Sequence, residues 1–229
     1  MQNTEQREVI VELSDIRKTF AAKNRKTEVL KGVGLQLFCG EFGVIMGKSG
    51  CGKSTLMSIL AGLDKADSGM CKVNNKEIIG LSDRELARYR NEEIGIVFQA
   101  FFLDESRTLA ENIEIPMGYR GIGRKERKKR SAELIHLFGL DEVKDKKPSQ
   151  VSGGEQQRAA IARAIVNEPS VLLADEPTGN LDEENTKMVL ELLAELNRKG
   201  MTLLIVTHDE YVASFADRIF TIENGVIKD

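Results

Sequence analysis

Short apolar runs separated by polar, glycine-rich joints dominate the chain. Phe42 to Met46, Ile94 to Phe98, Val171 to Ala174 and Leu203 to Val206 are each continuously apolar, as strands covered on both faces of a parallel sheet are. Val9 to Leu13, and then Val33, Leu35 and Leu37, alternate apolar with polar residues. That period predicts half-buried strands of a β-rich lobe. The Lys-, Arg- and Asn-containing stretch Ala21 to Thr27 between them predicts a loop. Helical spacing places Leu134, Leu137 and Phe138 on one face. It also places Val189, Leu192, Leu193 and Leu196 on the stripe of a helix Asn185 to Arg198, closed by Gly200. Ser82 with Glu85 predicts a capping box for a helix Arg84 to Arg90. Asn74-Asn75 and Asn224-Gly225 predict hairpin turns, since Asn and Gly tolerate positive φ. Ala100 to Ile165 is helical in character and predicts an insertion between strands. The fold class is therefore α/β: a mainly parallel sheet core, an N-terminal antiparallel β subdomain and a helical subdomain insertion. One domain is expected over residues 1–229, with core and β subdomain at about 1–99 and 166–229 and the helical subdomain at about 100–165.

Composition narrows the partners. A net charge of −3 and the absence of Trp disfavour a nucleic-acid surface. Cys39, Cys51 and Cys71 form no CxxC pair and fit a reducing compartment rather than a disulfide scaffold or zinc site. The polar, mixed-charge start Met1 to Glu8 is not a signal peptide. The apolar runs are too short to span a bilayer, so a membrane role requires a membrane partner on another chain. The basic run Arg124 to Arg130 reads as a solvated helix face in preference to a contact for membrane phosphates.

The most informative joint is Gly47-Lys48-Ser49-Gly50-Cys51-Gly52-Lys53-Ser54-Thr55, between an apolar run and the helical run Leu56 to Leu60. Strand, glycine-rich loop and helix in this order make a phosphate loop (Walker A), and the core P-loop NTPase-type. Its glycines let backbone N–H groups curl around an anion, and the helix dipole adds to their field. Lys53 reaches the β- and γ-phosphates, and the Ser54 hydroxyl is placed for Mg²⁺. Asp175 ends a buried strand and supplies the Walker B carboxylate for the metal; Glu176 follows as a general base for water. His208 and Gln99 end two further strands. His208 is placed to donate to the γ-phosphate, and the Gln99 amide to touch the metal or the attacking water. His136 has no partner motif and is read as structural. Val151 to Arg158 holds Ser152 and Glu155 in capping-box spacing around Gly153-Gly154. The cap does not explain the paired glycines, which expose N–H groups as a second anion site.

Together with Asn180-Leu181-Asp182, these motifs run in the order of the ATP-binding cassette (ABC) transporter ATP-binding subunits, which the chain resembles over almost its whole length. The resemblance implies ATP and Mg²⁺ as cofactors and an ATP-dependent homodimer. In it Ser152, Gly153 and Gly154, with Glu155 beside them, close on the nucleotide held by the partner's phosphate loop, and Asp182 lies at the seam. Phe20 matches the aromatic that stacks on adenine. The resemblance also implies hydrolysis coupled to an integral membrane permease supplied by another chain, at the cytoplasmic face of the cell membrane. Phe98-Gln99, Glu111-Asn112, Pro148-Ser149-Gln150 and Ala174 to Asp182 are similar to the lipoprotein-releasing, macrolide-export and antimicrobial-peptide-export group. A cell-division-type ATPase that signals without transport is the alternative. A soluble cassette acting on DNA or ribosomes would favour a long insertion, a second cassette or a basic domain. A binding module without turnover would not need Glu176 and His208. Lys48, Cys51 and Glu155 depart from the family pattern, and Asp104 to Arg107 is more polar than it. Glu155 is expected to face its own cap.

Overall fold

The computed structural model describes residues 8–22 and 25–228. The elements in chain order are β1 (Val9–Ala22), β2 (Arg25–Phe38), β3 (Phe42–Met46), α1 (Lys53–Leu60), β4 (Ser68–Val73), β5 (Lys76–Glu77), α2 (Asp83–Glu92), β6 (Ile94–Val97) and α3 (Leu109–Tyr119). There follow α4 (Arg124–Leu137), α5 (Gly153–Ile165), β7 (Val171–Asp175), α6 (Glu183–Arg198), β8 (Thr202–Thr207), α7 (Glu210–Ala213), β9 (Arg218–Glu223) and β10 (Val226–Lys228). A four-stranded antiparallel sheet has the order β2-β1-β4-β5, and a six-stranded sheet the order β10-β9-β3-β8-β7-β6. Within the latter only β10 runs antiparallel to its neighbour.

The continuously apolar strands are explained by two cores. Val171 and Leu173 on β7, Leu204 and Val206 on β8 and Ile45 on β3 face α1 and the antiparallel sheet. Their alternate neighbours Leu172, Ala174, Leu203, Ile205 and Val44 face α3, α5 and α6. Each strand thus feeds both cores with a period of two. The hairpin turns form as the sequence predicts, with φ of 49° and 60° at Asn74 and Asn75 and 50° and 84° at Asn224 and Gly225. The Ser82–Glu85 capping box is present, and Gly200 has φ 99°.

Three local expectations are corrected. Ala21, Ala22 and residues 25–27 lie in strands and not in a loop: Phe20 pairs with Thr27, Ala21 with Lys26 and Ala22 with Arg25. Ladder hydrogen bonds join backbone groups and require no apolar pattern of side chains. Lys23 and Asn24 fall outside the described residues, as do residues 1–7, where most of the leader reading falls. Leu137 is 39% exposed; α4 buries Ser131 and Ile135 instead, with Phe138 just beyond its end. Ile94 to Phe98 yields a strand only to Val97, and β6 is the sheet edge, with Ile96 half-buried.

The burial difference predicts a contrast in stability. Leu204→Ala, at a fully buried position, is expected to cost about 2–5 kcal/mol. Leu137→Ala is expected to stay within about 0.5 kcal/mol. Urea denaturation of the two variants checks both.

Candidate functional site

Strand register brings the chemistry together. Met46, before the glycine-rich loop, lies opposite Thr207, before His208. Asp175 lies opposite Val206, and Val97 opposite Ala174. Because β3, β8, β7 and β6 are parallel, their C-terminal ends open on one sheet edge. There a cleft of about 660 Å³ is lined by Ser49, Gly50, Gly52, Lys53, Ser54, Thr55, Gln99, Asp175, Glu176 and His208, with Val29 beside them.

The loop is shaped by its glycines. Gly52 caps α1 with φ 109°, and a Cβ there would come within 2.8 Å of Leu30. Gly47 lies so close to Ile222 and Cys51 that a Cβ would meet the Ile222 carbonyl at 2.5 Å and the Cys51 Sγ at 2.8 Å. Lys53 is buried, and its ammonium donates to the carbonyls of Gly47 (2.6 Å) and Lys48 (3.1 Å). The cation is thereby held beneath the loop. Lys48 and Cys51 line an adjoining surface cleft with Thr27 and Glu223, which shares Val29, Ser49 and Gly50 with the first.

Across from the loop, Glu176 has φ 45°, an uncommon value for a residue with a side chain. Its Oε1 lies 2.9 Å from the His208 Nδ1. Burial raises the Asp175 pKa above the ordinary carboxyl value, and the Glu176 charge adds to this. The Ser54 hydroxyl, by hydrogen bonding, and Lys53, by its charge, oppose that rise. The Ser54 hydroxyl, the Asp175 carboxylate and the Gln99 amide are hard oxygen donors in one cleft, a set that fits Mg²⁺. Among the described residues no three His, Cys, Asp or Glu cluster as an all-protein metal cage. Mg²⁺ bound through few protein groups, phosphate and water needs none.

Ser152, Gly153 and Gly154 do not line this cleft. They open α5, where the Ser152 side chain accepts from the Glu155 N–H and the Glu155 carboxylate accepts from the Ser152 N–H at 2.7 Å. Glu155 does face its own cap, and the Ser152 N–H holds its carboxyl below the ordinary range. The two glycines differ. A Cβ on Gly153 meets nothing nearer than 3.6 Å, whereas one on Gly154 would lie 1.8 Å from the Asn185 Oδ1. Asp182 caps α6 and accepts from the Asn185 backbone and side chain. Phe20, on β1, is 45% exposed with the Lys18 ammonium over its ring, and it does not line the cleft either.

Sequence reasoning missed how the segment after Glu176 is held. The Asn180 amide donates to the Gln99 carbonyl at 2.9 Å. A Cβ on Gly179 would meet the Gln99 amide nitrogen at 2.9 Å. No periodicity reports such a contact between loops; the nearest signal was Gly179-Asn180, a turn-type pair beside an acidic strand end.

Residues 30–179 match the protein-family model described as ABC transporter. The macrolide export ATP-binding/permease protein MacB of Shigella sonnei is 44% identical over 218 residues, 95% of this chain and 34% of the relative. The MacB proteins of Escherichia coli strain K12 and of Wolinella succinogenes give the same identity and coverage. The chain thus spans about a third of the length of these curated relatives. Among solved structures, the ATP-binding cassette MJ0796 in a dimeric post-hydrolysis state with ADP and Pi superposes with a TM-score of 0.89 at 39% identity. The match covers 96% of this chain and 97% of that one. A second dimeric structure of MJ0796, described as a bacterial ABC transporter cassette, matches equally.

The two glycines of α5 give opposed expectations. Gly154→Ala forces Asn185 aside and lowers stability by about 1–3 kcal/mol. Gly153→Ala has room and leaves the chain as stable, or more stable by up to about 1 kcal/mol. Thermal unfolding of the isolated variants distinguishes them.

Proposed function

The chain belongs to the ABC transporter family, and on that footing we propose that it is an ATPase subunit whose ATP-sandwiched homodimer drives a separate membrane permease. The observation that carries this reading is the division of its anion sites. Loop, metal donors and the Glu176–His208 pair share one cleft, while the Ser152–Gly154 helix start lies outside it. A second copy placed head to tail brings the missing helix start to each cleft. The dimeric neighbours, with ADP and Pi in one of them, support that arrangement. We assign ATP to the cleft of Gly47 to Thr55, and the partner copy's contact to Ser152, Gly153 and Gly154. Gly153 and Gly154 put no side chain between the helix start and an approaching phosphate.

The chemistry follows from the residues. Backbone N–H groups of the loop and Lys53 neutralise the phosphates. Ser54 and Asp175, with Gln99, would hold Mg²⁺, which would supply charge neutralisation at the phosphoryl group. Glu176 takes the proton of the attacking water, and the His208 ring keeps the Glu176 carboxylate turned into the cleft. Hydrolysis removes contacts that join the two copies, so closing and opening moves the helical segment around 100–165 against the core around 1–99 and 166–229.

Export, by analogy with the MacB proteins, is the transport we propose, with lipoprotein, peptide or macrolide-like cargo. No described helix is long and apolar enough to cross a membrane. The permease on another chain and the place at the cytoplasmic membrane face rest on the family resemblance. Phe102 and Tyr119, 68% and 85% exposed on the helical segment, are the apolar groups most available to it. The net charge of −3 supports no role for nucleic acid. Phe20 is assigned as the adenine platform on its position in the family pattern; Lys18 over its ring leaves one face for a base.

Two outcomes test the assignment. Glu176→Gln should lower ATP turnover by about 10²-fold or more and elute as a dimer in MgATP. Turnover equal to that of the unaltered chain, or a monomer, would count against it. Cys51 is half-buried against the loop glycines, so a bulky maleimide should abolish nucleotide binding and bound ATP should protect the thiol. Unchanged affinity after complete labelling would overturn the placement of the nucleotide.

A further inference from the structure

The segment that carries Glu176 is tied to α5 by one buried side chain. Gln157 is fully buried, and its Nε2 donates to the Pro177 carbonyl at 2.6 Å. Its Oε1 has no hydrogen-bond partner. An amide kept in the interior with one end unpaired is costly, and an apolar side chain would fill the space without that cost. The donated bond is what an apolar residue cannot supply. Pro177 has no N–H of its own, so its carbonyl is the one backbone hydrogen-bonding group that this residue offers. The residue before it, Glu176, is the one with φ 45°, and its carbonyl accepts from the Gly179 N–H to close the turn. A left-handed residue persists only where its surroundings over-determine it. Here they do so from two sides: the β8 carbonyl of Val206 takes the Glu176 N–H, and Gln157 takes the next carbonyl.

Gln157 also stands one helical turn after Gly153, so it lies on the same side of α5 as that half-buried glycine of the helix start. The same turn of α5 meets the far end of the segment, where Gly154 abuts Asn185 and Asn185 is held by Asp182. We propose that Gln157 is a positioning residue for Glu176: its amide fixes the Glu176–Pro177 turn to α5. Glu176 then presents its carboxylate to the cleft only while α5, with Ser152–Gly154, is in place. The inference rests on Glu176 being the general base of the proposed ATPase. Its consequence is that one copy's grip on its partner's nucleotide sets the geometry of hydrolysis in its own cleft.

A double-mutant cycle on the full chain tests it, with steady-state MgATP turnover measured for Gln157→Met, Glu176→Gln and the double variant. Gln157→Met should lower kcat by about tenfold, since misplacement by roughly 1 Å can cost up to 10². KM for ATP should not move, and the thermal midpoint should shift little, because removal of the unpaired Oε1 offsets the Pro177 carbonyl left without its donor. In the Glu176→Gln background the same substitution should change the residual turnover no further, because no base is left to place. An equal loss in both backgrounds, a rise in KM without loss of kcat, or unchanged turnover overturns the proposal. Undiminished turnover of Glu176→Gln alone overturns the general-base reading and the proposal with it, and is seen without any Gln157 variant. Should Gln157→Met not fold, hydrogen exchange of the unaltered chain decides. Gly179 and Leu181 amides exchanging in step with those of α5 support the tie; their opening while α5 stays protected overturns it.

Discussion

The constraint on which the rest depends is the parallel register of β6, β7, β8 and β3. Four strands that end level with one another place Gln99, Asp175, Glu176, His208 and the glycine-rich loop on one edge. A parallel sheet must be covered on both faces, because its connections run over them. The two cores meet that requirement, and they fix the register as well. A slip of one residue would turn Leu173 and Leu204 toward α5 and α6, and Leu172 and Leu203 toward α1. The packing that stabilises the sheet is therefore the packing that aligns the chemistry. Charged and polar groups begin only where each strand leaves the core, so the site is a rim rather than a cavity.

Around that rim, close backbone approach matters as much as charge. Gly47 lies against the carbonyl of Ile222 and the thiol of Cys51, and Gly52 against Leu30. Gly154 lies against Asn185 and Gly179 against the Gln99 amide. These contacts join the phosphate loop to the β9 end, α5 to α6, and the end of β6 to the segment after β7. Asn180 on Gln99, Gln157 on Pro177 and Asp182 on Asn185 add hydrogen bonds along the same line. The segment from Glu176 to Asp182 is thus the meeting point of the proposed general base, of Gln99 and of the start of α5.

The departures from the family pattern find different physical settings. Glu155 is absorbed by its own capping box, so its charge is spent on the α5 N-terminus and not on a phosphate. Cys51 and Lys48 open instead on a cleft beside the loop, next to Glu223, whose carboxyl is held low first by Lys228 and also by Lys48. Asp104 is held by Ser106 and Arg107, and its backbone N–H donates to Asn112, so the polar stretch after Gln99 is internally paired. Arg163 of α5 donates to the Phe101 and Phe102 carbonyls and fixes that stretch to the same helix.

The sequence by itself determined the strands of the parallel sheet, the phosphate loop, the capping boxes of α2 and α5 and both Asn-containing turns. Each is set by local chemistry: apolar continuity, glycine at positive φ, or a hydroxyl three residues from a carboxylate. It also identified the residues that meet at the sheet edge, since Asp175, His208 and Gln99 each follow an apolar run. Only the tertiary structure decided what lies between distant segments. The polar end of the β1–β2 hairpin is paired because ladder hydrogen bonds ignore side-chain polarity. Leu137 is exposed because the cover given by α3 and α5, and not helical spacing, chooses which face of α4 is buried. Gly154 is required by Asn185, which lies beyond the end of its own helix in sequence. Gln157 matters through a carbonyl twenty residues away. A pattern along one chain records which side chains want burial or a turn, and contacts between its parts arise only when those wishes are met together in space.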